Sequence, residues 1–187
     1  MARINKTQFA ILGCLSMKPM SGYDIQNFTK ASIGYFWQEG FGQIYPVLKR
    51  LLAGGLVSRK TEPQEGKPDR HVYSLTTAGK EKLLEWLTEE TNPQPVRNEF
   101  LLKIFFSSNV GPSSIGKALQ KYLEQQKSIL KVYQQLQKHL REHEANEQFP
   151  YWFTTLKFGI YLTRARMRWC KETLDVFSQL QEEKNNL

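Results

Sequence analysis

Apolar positions recur with a helical period along most of this 187-residue chain, and with a period of two in one short stretch. In Gly40 to Leu56, GFGQIYPVLKRLLAGGL, the residues Ile44, Leu48, Leu51 and Leu52 fall at i, i+4, i+7 and i+8. That spacing predicts a helix with one buried face. Pro46 has no N–H to give and belongs in a first turn, so the helix should start near Gly42. Gly54-Gly55 suits a left-handed end onto which Leu56 folds back. Gln43, Tyr45, Lys49 and Arg50 are left pointing outward. Upstream, Asn5 with Gln8 reads as the cap of a first helix whose face is Phe9, Ile11, Leu12 and Leu15. Ser21 with Asp24 reads as a capping box for a second helix, buried through Tyr23, Ile25, Phe28 and Ile33. Three short helices in succession form a helix-turn-helix plan.

After Leu56 the period changes. Val57, Arg59 and Thr61 alternate with Ser58 and Lys60, and His71, Tyr73 and Leu75 alternate with Val72 and Ser74. Between them EPQEGKPDR, with Pro63, Gly66 and Pro68, forbids regular structure. A hairpin with Lys67 and Arg70 in its loop, directly after the third helix, is a wing. Thr76 or Thr77 should cap a fourth helix faced by Leu83, Leu84, Trp86 and Leu87, and TNPQP at 91–95 ends it. Beyond lies helix only. Phe100, Leu101, Ile104 and Phe105 fill a short one. Ile115, Leu119, Tyr122, Gln126, Ile129, Tyr133, Leu136 and Leu140 form a coiled-coil seam broken once, at Gln126. The last helix carries a seam of its own and a second row, Leu162, Trp169 and Val176, with no evident partner in the chain. A second subunit would cover that row. The predicted fold is mainly α with a small β-hairpin: a winged helix-turn-helix domain over 1–90, a linker over 91–95, and a helical, coiled-coil-like dimerisation domain over 96–187.

Charge adds a partner to this plan. The chain holds 26 Lys+Arg against 18 Asp+Glu, a net +8. Residues 1–82 hold 12 Lys/Arg against 6 Asp/Glu, while residues 83–187 hold 14 against 12. The excess therefore sits with the helix-turn-helix segment, which favours a polyanion. A planar amide, a phenol and two cations on one rigid helix suit base edges and phosphates of a DNA major groove. The same stretch alone would also fit an ordinary amphipathic helix with a solvated face. Gln43 and Tyr45, near the helix start, are the candidates for base edges; Lys49, Lys67 and Arg70 are those for the backbone, and Arg50 joins the same DNA-binding set.

Other classes are disfavoured. The chain lacks G-x-S-x-G, H-E-x-x-H and G-x-x-x-x-G-K-[ST], so an enzyme is not expected, and no cofactor. His139 and His143 stand four apart beside Glu142, but a charged surface explains them better than a metal. Cys14 and Cys170 lie in apolar helical patterns with no zinc spacing, as reduced core thiols of a cytoplasmic protein would. The sequence has no signal peptide pattern or membrane span.

Three blocks, ILGCLSMKPMSGYDI, GFGQIYPVLKRLLAGGLV and EGKPDRHVYSLTTAGKEKLLEWL, resemble the PadR-like transcriptional regulators in order and spacing. From Arg97 onward the chain is similar to the helical virulence-activator C-terminal domain of the longer members. The resemblance implies a winged-helix DNA-binding domain, a C-terminal dimerisation domain and regulation of nearby genes, most often by repression; two reading helices related by a two-fold axis in a homodimer would then need an inverted-repeat operator. It places Gln43, Tyr45 and Lys49 on the recognition helix and Lys67 and Arg70 on the wing. Some members respond to phenolic acids or other planar apolar compounds. Aromatic residues that could meet such an effector, between the winged domain and the dimerisation helices, are Tyr35, Phe36, Trp37, Trp86 and Trp152, with Tyr151 and Phe153 beside the last. The rival reading is a winged-helix adaptor that holds another protein and not DNA; the positive charge of residues 1–82 speaks against it.

Overall fold

Residues 6–37, 41–63, 66, 69–91 and 96–185 are described by a computed structural model. The chain falls into two units, Met1–Pro93 and Gln94–Leu187, each with its own core. The first contains α1 (Thr7–Met17), β1 (Met20–Ser21), α2 (Gly22–Ala31), a 3-10 turn (Phe41–Gln43), α3 (Ile44–Ala53), β2 (Val57–Glu62), β3 (Arg70–Leu75) and α4 (Thr77–Thr88). Helix α1 is apolar almost all round and is the hub: it packs on α2, α3, α4 and β3. Its Leu12, with Ile25 of α2 and Leu48 of α3, is wholly buried. The side chain of the residue before α1, Lys6, makes no cap, and the expected capping pair's Asn5 lies outside the described residues.

The wing strands pair antiparallel in register from Val57 opposite Leu75 to Glu62 opposite Arg70. A third, two-residue strand joins their far side, Met20 opposite Tyr73 and Ser21 opposite Val72, so the order is β1-β3-β2. The sequence shows no sign of β1, because two residues carry no period. Ser21 closes that strand and opens α2 with the expected capping box. Its hydroxyl accepts from the Asp24 N–H at 3.2 Å, and its own N–H donates to the Asp24 carboxylate at 2.8 Å.

Helix α3 ends in a Schellman turn. The Leu56 N–H reaches the Leu51 carbonyl at 2.9 Å, the Gly55 N–H reaches Leu52 at 3.1 Å, and Gly55 takes φ 68°. Helix α4 docks on this turn. The Thr76 hydroxyl donates to the Gly55 carbonyl at 2.8 Å and accepts from the Gly79 N–H at 3.1 Å. The Thr76 N–H adds a bond to the Leu56 carbonyl. The exit of α3 is thereby tied to the strands and to α4.

The second unit contains α5 (Glu99–Phe105), a 3-10 turn (Ser107–Asn109), α6 (Pro112–Arg141) and α7 (Phe149–Asn185). The two long helices pack along each other, with a core of Ile115, Leu119, Leu123 and Cys170 joined by Phe100, Ile104, Tyr122, Met167, Trp169, Leu174 and Phe177. Gln126 is buried in this seam with Tyr133, Ile160 and Thr163. Leu123, four residues after Leu119, takes the buried position that periodicity assigns to Tyr122. Tyr122 lies at the margin, stacked on Phe100 with centroids 4.6 Å apart.

Several side chains expected to be buried are exposed in the chain. Tyr23 on α2, Leu84 and Leu87 on α4, and Leu101 and Phe105 on α5 all face outward, Phe105 at 79% exposure. An apolar stripe wider than its contact leaves its flanks uncovered. Both cysteines are buried and free, and burial pushes the Cys14 thiol up to about 11. Among the described residues, no helix is long and apolar enough to cross a membrane.

Candidate nucleic-acid interface

Helix α3 buries Ile44, Val47, Leu48 and Leu51, at i, i+3, i+4 and i+7, with Leu52 half-covered. That packing fixes which residues face out. Gln43, in the 3-10 turn, and Tyr45, Lys49 and Arg50, on the helix, are exposed along one face. Tyr45 is 59% exposed, yet its ring is not adrift. It lies against Gly22, the first residue of α2, where a Cβ would stand 2.7 Å from ring atom Cε1 and 3.0 Å from Cζ.

The expected wing residues separate. Lys67 lies outside the described residues. Arg70, at the start of β3, is described, and its guanidinium meets the Asp24 carboxylate at 2.5 Å. The same Asp24 oxygen takes the Ser21 N–H and the Ser21 hydroxyl, the latter at 2.7 Å. Burial would raise the Asp24 pKa, but the Ser21 bonds and the Arg70 guanidinium outweigh it and hold the carboxyl below its usual range. Arg70 thus braces the root of the wing against α2. Two cations that strand periodicity does not single out, Arg59 and Lys60 of β2, are exposed in the wing strand itself. Their adjacency on the strand that leads into the wing loop is the signal that marks them.

The aromatic candidates for an effector are distributed over both units. In the first, Tyr35 and Phe36 are exposed and Trp37 is partly buried, its indole Nε1 enclosed without a hydrogen-bond acceptor among the described residues. Trp86 is spent on the core, stacked on Phe9 with centroids 4.5 Å apart and planes 5° apart. In the second, Trp152 is partly buried, Tyr151 exposed, and Phe153 stacks on Phe149. Shallow clefts run along α7 beside Arg164, Met167 and Lys171, and beside α5 at Leu102, Phe106 and Val110. None of the candidate aromatics lines them.

The row assigned to a second subunit also divides. Leu162 and Val176 are exposed on α7. Trp169 instead packs on its own unit, edge-on to Phe100 with centroids 6.2 Å apart, so α5 supplies a partner that the sequence does not reveal. At the end of α6, the His139, Glu142 and His143 ligand atoms lie within 4.8 Å of one another on an exposed surface. His143 Nδ1 lies 3.0 Å from the His139 carbonyl, and His139 Nδ1 lies 3.5 Å from Glu142.

Comparison with known proteins accords with this geometry. Residues 11–85 match the Transcriptional regulator PadR-like family, and residues 96–178 match the family described as Virulence activator alpha C-term. The Negative transcriptional regulator PadR of Bacillus subtilis is 33% identical over 156 residues, 83% of this chain and 84% of that one. The crystal structure of Bacillus subtilis PadR in complex with operator DNA superposes with TM-score 0.85 at 28% identity, covering 94% of this chain and 99% of that one. The same regulator in complex with p-coumaric acid gives TM-score 0.76 at 28% identity, over 91% and 98%. The fold is therefore shared with a regulator solved on its operator over nearly the whole of this chain, which belongs to the PadR-like family of winged-helix, DNA-binding transcriptional regulators.

Proposed function

We propose that this chain represses nearby genes as a homodimer whose two α3 helices read an inverted-repeat operator. The observation that carries the reading is the outward face of α3: Gln43, Tyr45, Lys49 and Arg50 exposed on a helix fixed from behind by Ile44, Val47, Leu48 and Leu51. The likeness to a negative regulator solved on its operator supports it. Residues 1–90 act as the DNA-binding domain, 91–95 as the linker and 96–187 as the dimerisation domain. Gln43 and Tyr45 meet base edges; Lys49, Arg50 and Lys67 meet phosphates, as does whatever donor capacity Arg70 keeps beyond Asp24. Exposed Leu162 and Val176, with Trp169 behind them, seat the second subunit.

A planar phenolic compound releases the operator in this reading, as the p-coumaric acid complex of the Bacillus relative suggests. Tyr35, Phe36, Trp37 and Trp152 are the candidate contacts, and Trp86 contributes only an edge because its face stacks on Phe9. Such a ligand must favour a state of the dimer that does not bind DNA, since equal affinity for both states would shift nothing.

Selection from a pool of randomised duplexes tests the reading. Full-length protein should enrich an inverted repeat whose half-site centres lie roughly one or two helical turns apart, about 34 Å per turn. Enrichment of no sequence, or of a single unrepeated half-site, would refute it.

A further inference from the structure

We infer that Gly22 sets sequence specificity by seating the Tyr45 ring, and that the start of α2 aligns both elements that meet DNA. The inference rests on the proposed reading of α3 and adds a positioning residue that itself touches no base. A phenol on the first turn of a helix, more than half exposed, would ordinarily sweep several rotamers. Each would present its hydroxyl to a different base or to none. Here one face of the ring is supported, because Gly22 offers bare Cα where any other residue would place a Cβ 2.7 Å from Cε1, 3.0 Å from Cζ and 3.3 Å from Cδ1. Three ring atoms at graded distances describe a ring laid over the glycine.

The seat is itself anchored. Gly22 is buried, and it follows Ser21, which pairs with Val72 of the wing strand and belongs to the capping box of α2. Two residues on, Asp24 holds Arg70 at the root of the wing. One short segment, Ser21 to Asp24, therefore contacts the reading side chain of α3 and the base of the wing together. Preorganising a reading side chain raises specificity by removing conformers that would have to be given up on binding.

Gly22 is not among the glycines with positive φ, so an alanine suits its backbone. The group that must yield is the far end of a flexible side chain. Gly22→Ala should thus keep its thermal midpoint while displacing Tyr45. The readout is the ratio of affinities for the enriched inverted repeat and for a scrambled duplex, in the full-length protein. Tyr45→Ala should lower that ratio, and Gly22→Ala should lower it by about tenfold. In a Tyr45→Ala background, Gly22→Ala should change it less than about twofold, because no ring remains to displace. Gly22→Ser, which puts the same Cβ and one further atom in the seat, should lower the ratio at least as much. Should Tyr45→Ala leave the ratio unmoved, the reading of α3 falls and the inference with it. If Tyr45→Ala lowers the ratio and neither filler does, or if the fillers act equally in both backgrounds, the seating of Tyr45 alone is overturned.

Discussion

Gly79→Ala should destabilise the winged unit by on the order of 3 kcal/mol, the upper end for overpacking a core. A Cβ at this position would stand 2.0 Å from the Leu56 carbonyl oxygen and 2.9 Å from Cδ1 of Leu75. The first obstacle is backbone, and it cannot rotate aside. The Leu56 carbonyl is engaged by the Thr76 N–H, and Leu56 ends the Schellman turn of α3. To admit the methyl, α4 must lift off the turn, which breaks the bonds from the Thr76 hydroxyl to the Gly55 carbonyl and from the Thr76 N–H to the Leu56 carbonyl. Thermal unfolding followed by circular dichroism should show a midpoint lower by roughly 10–20 °C for a unit of this size. An unchanged midpoint would mean that α4 does not dock on the end of α3 as described.

Removal of everything after Glu90 should abolish dimerisation and weaken binding to the inverted repeat by about 10²–10⁴-fold. The physical basis is effective concentration. Once one α3 is bound, a partner held by the helical unit finds the second half-site without a fresh bimolecular search. The helical unit has the surface for this: Leu162 and Val176 on α7, and Leu102 and Phe105 on α5, are exposed large apolar groups. Closed two-fold pairs are the commonest assembly of such subunits. Light scattering should give twice the chain mass for the full protein and a monomer for residues 1–90. A monomeric full chain at micromolar concentration, or equal operator affinity for both, would contradict it.

What was legible in the sequence was what local chemistry controls. Ser21 and Asp24 announce a capping box because the motif needs only four residues, and Gly54-Gly55 announces a helix end because few residues but glycine take φ near 68°. The strands following α3 show their period of two, and the outward residues of α3 follow from its buried ones. Contacts between distant residues were not legible. Arg70 and Asp24 are 46 positions apart, and each has a plausible local task, the first as a wing cation and the second as a cap. Trp169 reads as an interface residue until α5 is seen to place Phe100 against it. Leu84, Leu87 and Phe105 show the limit of periodicity from the other side. It finds an apolar face but does not say whether the same chain covers that face.

The assignment of roles on α3 is tested most directly by binding at two salt concentrations to the enriched inverted repeat and to a scrambled duplex. Wild type, Tyr45→Ala and Lys49→Ala are compared by fluorescence anisotropy. Base contacts carry sequence information and phosphate contacts carry salt dependence, so the two substitutions should separate cleanly. Tyr45→Ala should cost about 1–3 kcal/mol on the inverted repeat, little on the scrambled duplex, and leave the salt slope unaltered. Lys49→Ala should weaken both duplexes alike and reduce the slope by about one. If the two variants lose affinity identically on both duplexes at both salt concentrations, α3 does not read DNA with these residues in these roles.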